Sequence, residues 1–199
     1  MSLKTLLAEI RSCRECEPHL SLGPRPILSA HRNSKILIVG QAPGKRVHQS
    51  GVPWDDPSGV RLRDWLRISE TDFYDASKIA IVPMGFCYPG TGKSGDLPPR
   101  PECAPLWHEQ LLNELKNVKL RLLVGNYAQA YVLGNSKKST LTETVRCWKE
   151  YRPSAIPLPH PSPRNNIWLK KNPWFEEEVL PYLRRRIKKI FQVAADRQG

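Results

Sequence analysis

A chain of 199 residues with 31 basic and 19 acidic side chains carries a formal charge of +12. Its length suits one α/β domain over residues 1–199, its apolar runs fall far short of the ~20 residues a membrane-spanning helix needs, and the opening "MSLKTLLAEIRSC" lacks the continuous apolar stretch of a signal peptide. The expectation is a cytoplasmic, nucleoid-associated protein with a polyanionic partner, nucleic acid ahead of a membrane surface, because neutralising phosphates releases condensed counterions.

In chain order, an N-terminal helix leads to the C-x-x-C pair Cys13 and Cys16. "KILIVG" from Lys35 reads as a buried strand, followed by the turn "GQAPG" and a helical "SGVRLRDWL". A second strand, "KIAIVP" from Lys78, runs into "YPGTGKSGDLPPRPEC", which has no hydrophobic period and is expected to be an ordered excursion. The helical "APLWHEQLLNEL" and a third strand, "KLRLLVG" from Lys119, follow. Next comes "NYAQAYVLG", a helix with Asn126 as N-cap and Gly134 as C-cap. After the fourth strand, "SAIPLP" from Ser154, the last helix starts near Pro173 and buries Phe175, Val179, Leu183, Ile187 and Ile190. Arg184, Arg185, Arg186, Lys188 and Lys189 lie mostly on its other side, and Pro181 should bend or restart it. Strands alternating with helices predict a parallel sheet covered on both faces. Ligands of such sheets bind outside the carboxyl ends of the strands, which gathers "GQAPG", "MGFCYPG" and "HPSPRNN" around one crevice.

Cys13 and Cys16, with Cys87 and Cys103 farther on, suggest a four-thiolate metal site in a reducing compartment. Spacing alone suits zinc or a 4Fe–4S cluster equally. Cys147 is the remainder and is expected to be a buried structural thiol.

These residues together resemble the uracil-DNA glycosylase superfamily. "CREC", "GQAPG", the pair Cys87 and Cys103, "GNYAQAYVLG" and "HPSPRNN" follow the order of its iron–sulfur branch, called family 4, while "QSGVPW" and "HPSPRN" are similar to the single-strand-selective monofunctional branch. The resemblance implies a three-layer α/β/α sandwich with a short, mainly four-stranded parallel sheet. It also implies a monomer that binds damaged DNA, flips a deaminated base out of the stack, and hydrolyses its N-glycosidic bond in base-excision repair. It moves the cysteine reading to a 4Fe–4S cluster, with zinc the alternative. By the same match Trp54 is the platform on which the base stacks, Gln41 and Ala42 face the base, and His160 stabilises the departing base. Arg164 enters the duplex from a loop whose Ser162 and Asn165 bind DNA, as do Pro43 and Gly44, and the amides from Gln41 to Gly44 can cradle an oxygen.

Two positions depart from that pattern. The acidic residue of the iron–sulfur branch falls on His48, which could orient water, act as a base, or attack the sugar. Asp55 and Asp56 are rival sources of negative charge, Asp55 being the candidate catalytic residue, although either could cap the helix at "DDPSG". Where uracil readers place an asparagine the chain has Pro83, which leaves the backbone near Met84 and Gly85 to read the base, or a base other than uracil. A glycosylase-like protein that binds or traps DNA without hydrolysing it is the alternative function, and an iron–sulfur electron-transfer module a weaker one.

Overall fold

The computed structural model describes residues 2–93 and 95–195. Its main sheet holds β1 (Ile36–Val39), β2 (Ile79–Ile81), β5 (Leu120–Val124) and β6 (Ala155–Leu158) in the order β2-β1-β5-β6, all parallel. All four predicted strands are present. Because side chains alternate across a strand, each strand feeds two cores. On one face Ile36, Ile38, Leu122, Val124 and Ile156 pack against α3 (Pro57–Leu66) and α9 (Leu180–Ala195) through Leu62, Trp65, Leu183 and Ile187. On the other, Leu37, Val39, Ala80 and Leu123 meet α1 (Leu3–Ser12), α5 (Glu109–Glu114) and α6 (Asn126–Leu133) through Leu6, Ile10, Leu111 and Ala128. The result is the α/β/α sandwich expected from the strand–helix alternation.

The chain passes from β1 outward to β2 and returns to β5 on the other flank of β1. That reversal opens a crevice at the carboxyl ends of β1 and β5. The short helix α2 (Lys45–Ser50) and α3 follow β1 above it, while α4 (Glu70–Tyr74), α7 (Leu141–Arg146) and α8 (Asn166–Lys171) fill the periphery.

Local chemistry corrects several boundaries. Gly125, at φ 85°, takes the cap position assigned to Asn126, and Gly134 ends α6 at φ 51° as expected. The proline-rich excursion contains a two-stranded hairpin, β3 (Thr91–Gly92) with β4 (Gly95–Asp96), too short to leave a hydrophobic period. Phe175–Val179 is wound more widely than an α-helix, and regular winding begins at Leu180. Pro181 stands at the junction where the wide winding passes into the regular one, a change of winding that accommodates a residue unable to donate to the turn before it. Cys147 caps α7 and is only part-buried, against the expectation of a buried thiol. Among the described residues no helix is long and apolar enough to cross a membrane.

Candidate active site

The crevice is lined by Gly40, Gln41, Ala42, Pro43 and Gly44 from the turn after β1, by Pro53, Trp54 and Asp56 before α3, by Ile81 and Pro83 of the second strand's end, and by His160 after β6. The turn after β1 and the loop after β6 meet here as expected, whereas the second strand contributes its own end, Ile81 and Pro83, in place of the "MGFCYPG" loop beyond it.

Trp54 has φ 59°, one of two non-glycine residues in the left-handed region among those described, a conformation that costs roughly 1–2 kcal/mol. Two glycines make room for it. A Cβ on Gly40 would lie 3.0 Å from the indole Cζ2, and one on Gly59 would lie 1.8 Å from the Trp54 carbonyl oxygen. The indole then stands across the crevice from the His160 imidazole, with ring centres 5.7 Å apart.

His160 is held by its own loop. Its Nδ1 accepts a hydrogen bond from the Ser162 amide at 3.2 Å, and its carbonyl accepts from the Asn165 side-chain amide at 2.7 Å. With Nδ1 an acceptor, the ring proton of the neutral imidazole belongs on Nε2. Burial pushes the His160 pKa below the usual histidine value, and the nearby Asp56 charge opposes this only in part. Near neutral pH the group is therefore an uncharged N–H donor.

Asp56 supplies the crevice's carboxylate. Its Oδ1 accepts the Gly59 amide at 2.8 Å, with Pro57 opening α3, so it also caps the helix. Asp55 does not line the crevice and lies where its charge acts on Tyr74. Of the two aspartates in "DDPSG", it is the second that caps, with Pro57 directly after it at the first helical position. A further carboxylate, absent from the sequence-derived set, comes from the hairpin: Asp96 Oδ2 lies 3.3 Å from where a Cβ on Gly44 would be.

His48 is not among the lining residues. Val47 faces the crevice, and the 100° step of a helix carries His48 off that face, toward Tyr88, with ring centres 6.0 Å apart. Its Nδ1 is buried without a hydrogen-bond partner among the described residues, and burial, with Arg25 alongside, lowers its pKa. Met84 and Gly85 are likewise outside the lining, because their amides donate to the carbonyls of Gly40 and Gln41, each at 3.0 Å. Pro83 takes that place on the wall. Beneath it His108, fully buried, donates from Nε2 to the Pro83 carbonyl at 3.1 Å and stacks on Phe86, and its burial pushes its pKa down to about 4. Arg164 is exposed and lies against Gly95 of the hairpin, where any Cβ would come within 2.1 Å of its guanidinium.

Cys13, Cys16, Cys87 and Cys103 line a second, smaller cavity with Leu20, Phe86, Arg100 and Trp107. None forms a disulfide. Among the described residues no three histidine, cysteine, aspartate or glutamate side chains stand close enough together to hold one metal ion. The Trp107 Nε1–H is buried without a partner among the described residues.

The parallel sheet thus carries at its switch point a crevice walled by an indole, an imidazole and a carboxylate. The family description "Uracil DNA glycosylase superfamily" matches residues 28–184, and the chain belongs to that superfamily. A solution structure of a Methanosarcina acetivorans protein, provisionally assigned as a uracil DNA glycosylase, is 15% identical over 81% of this chain and 98% of its own, with a TM-score of 0.46.

Proposed function

We propose that the protein is a DNA glycosylase of the iron–sulfur branch that hydrolyses the N-glycosidic bond of a flipped, deaminated base. The observation that carries this reading is the convergence of Trp54, His160 and Asp56 on one crevice. A base stacked on Trp54 presents an exocyclic carbonyl oxygen to the His160 Nε2–H. As the C–N bond breaks, negative charge gathers on that oxygen and positive charge on the sugar, so the donor's interaction strengthens in the transition state. Asp56 offsets the positive charge and orients the attacking water. Its place in the crevice supports it over Asp55 and His48 as the missing acid. Gln41 and Ala42 border the base, Pro43 and Gly44 the adjoining phosphate, and Arg164 the gap left in the duplex. Ser162 and Asn165, assigned to DNA by the resemblance, act here by shaping the His160 loop.

The four cysteines suit a 4Fe–4S cluster. The donor set is soft thiolate, the wall is largely apolar, and the unpartnered Trp107 N–H offers a hydrogen bond to a cluster sulfur. When bound, the cluster would tie the segment after α1 to the loops beyond β2. Cys87→Ser in anaerobically purified protein should remove visible cluster absorbance, whereas an unchanged spectrum would rule out that ligand.

The reading is tested by base release from oligonucleotides carrying a single uracil, xanthine or hypoxanthine, single- or double-stranded. Multiple turnovers on one lesion are expected. Failure on all three, with a slow-migrating DNA adduct, would instead identify a trapping protein.

A further inference from the structure

We infer that the pole of the sheet opposite the crevice is a second binding site, for the phosphate backbone of another nucleic-acid segment. This goes beyond the proposed glycosylase and rests on it only for the choice of nucleic acid as the polyanion.

The site begins in a sequence repetition. Lys35, Lys78 and Lys119 each stand immediately before an apolar strand. Parallel pairing sets them side by side, since the Lys35 amide donates to the Lys78 carbonyl and the Lys119 amide to the Lys35 carbonyl. Adjacent strands lie about 4.8 Å apart, so the three ammonium stems leave one edge of the sheet as a row. Lys78 is neutralised by Asp72 at 2.5 Å and Asp75 at 3.9 Å. Lys35 and Lys119 make no ion pair among the described residues.

With Arg186 and Lys189 of α9, Lys35 and Lys119 line a cavity of about 210 Å³ whose remaining walls are apolar. No described acidic residue lines it. The Arg186 Nε is buried with no hydrogen-bond partner among the described residues, a state that costs about 1–3 kcal/mol unless something outside the chain satisfies it. Four cations around one hollow repel each other until an anion enters, and a phosphate oxygen meets both needs. On the other flank of α9, Arg67, Arg185 and Lys188 line a separate depression, where Asp72 is already held by Lys78, so that cations are spread along both sides of the helix. A row of this kind fits a linear polyanion better than a single small one.

Lys35 lies five residues before Gly40, and a strand rising about 3.3 Å per residue puts roughly 16 Å between the two ends. DNA seated in the crevice therefore leaves this pole free for another segment.

The experiment mixes wild-type protein with two undamaged duplexes, one carrying a donor dye and the other an acceptor. Energy transfer is expected at low salt, and Lys35→Glu/Lys119→Glu/Lys189→Glu should lose it at least 10-fold while base release from a short lesion duplex stays within about 2-fold, because the substitutions lie outside the crevice. Absence of transfer with wild type, or undiminished transfer with the triple variant, would overturn the proposal. So would stabilisation by millimolar pyrophosphate or a nucleoside triphosphate without bridging, which would identify a small-anion pocket. Should the triple variant fail to fold, the wild-type transfer and its loss in Lys35→Gln/Lys119→Gln decide the matter. The energy-transfer readout uses undamaged DNA alone, so its outcome is independent of whether the protein excises a base.

Discussion

His160→Ala should lower single-turnover base release by about 10²- to 10³-fold, the range found when one preorganised donor to a developing oxyanion is removed, while DNA affinity changes by less than about 3-fold. The asymmetry follows from the position of the ring. Its Nε2–H faces a crevice rather than the protein surface, and neutrality is enforced by burial, so its contribution grows only as charge moves onto the departing base. His160→Asn retains a side-chain N–H donor and should recover part of the loss. Equal losses in binding and release would remove His160 from the chemistry and leave it a wall of the pocket. Release with free alanine enzyme as fast as wild type would remove the crevice from the reaction altogether.

Gly59→Ala should be the most damaging added methyl among the described glycines. The added Cβ would sit 1.8 Å from the Trp54 carbonyl oxygen and 2.8 Å from its Cβ, and the obstacle is backbone that cannot rotate away. Either α3 shifts or the Trp54 turn unwinds. We expect a loss of about 3 kcal/mol or more, roughly 6–12 °C in melting temperature for a chain of this size, together with loss of base release as the stacking platform moves. Gly23→Ala is the internal reference: it has open space and a φ of 73° to accommodate, so it should cost about 1 kcal/mol and leave base release unchanged. Calorimetry that ranks the two equally would mean that the Trp54 turn is not built as described.

How much of this was legible in the sequence depends on the kind of signal each part leaves. The strands were plain because a short apolar run that feeds two cores at once is buried at nearly every position, with Arg121 the exposed exception. The crevice was legible for the same reason, since the carboxyl ends of such strands must converge. Trp54 and His160 were reached through motif resemblance, and the crevice brings them face to face. The choice between Asp55 and Asp56 turned on a 2.8 Å cap bond, and the departure of His48 on a single helical step; neither leaves a periodic trace. Met84 and Gly85 were expected to read a base because Pro83 offers no donor of its own, yet these two amides are bonded to the carbonyls of Gly40 and Gln41. The hairpin at Thr91–Asp96 and the His108 support under Pro83 depend on long-range placement, which no local pattern encodes.

The two bonds from Met84 and Gly85 to Gly40 and Gln41 carry a consequence of their own. They extend the sheet's ladder past the last formal strand residue, so two sides of the crevice are stitched main chain to main chain. Amides bonded in this way should exchange slowly with solvent, and the walls they join should move as one piece. A recognition chamber built in this way accepts or refuses a ring by its outline rather than by moulding around it. Any broadening of what it admits would have to come from changed side chains such as Pro83 or Ile27, with the backbone frame left as it is.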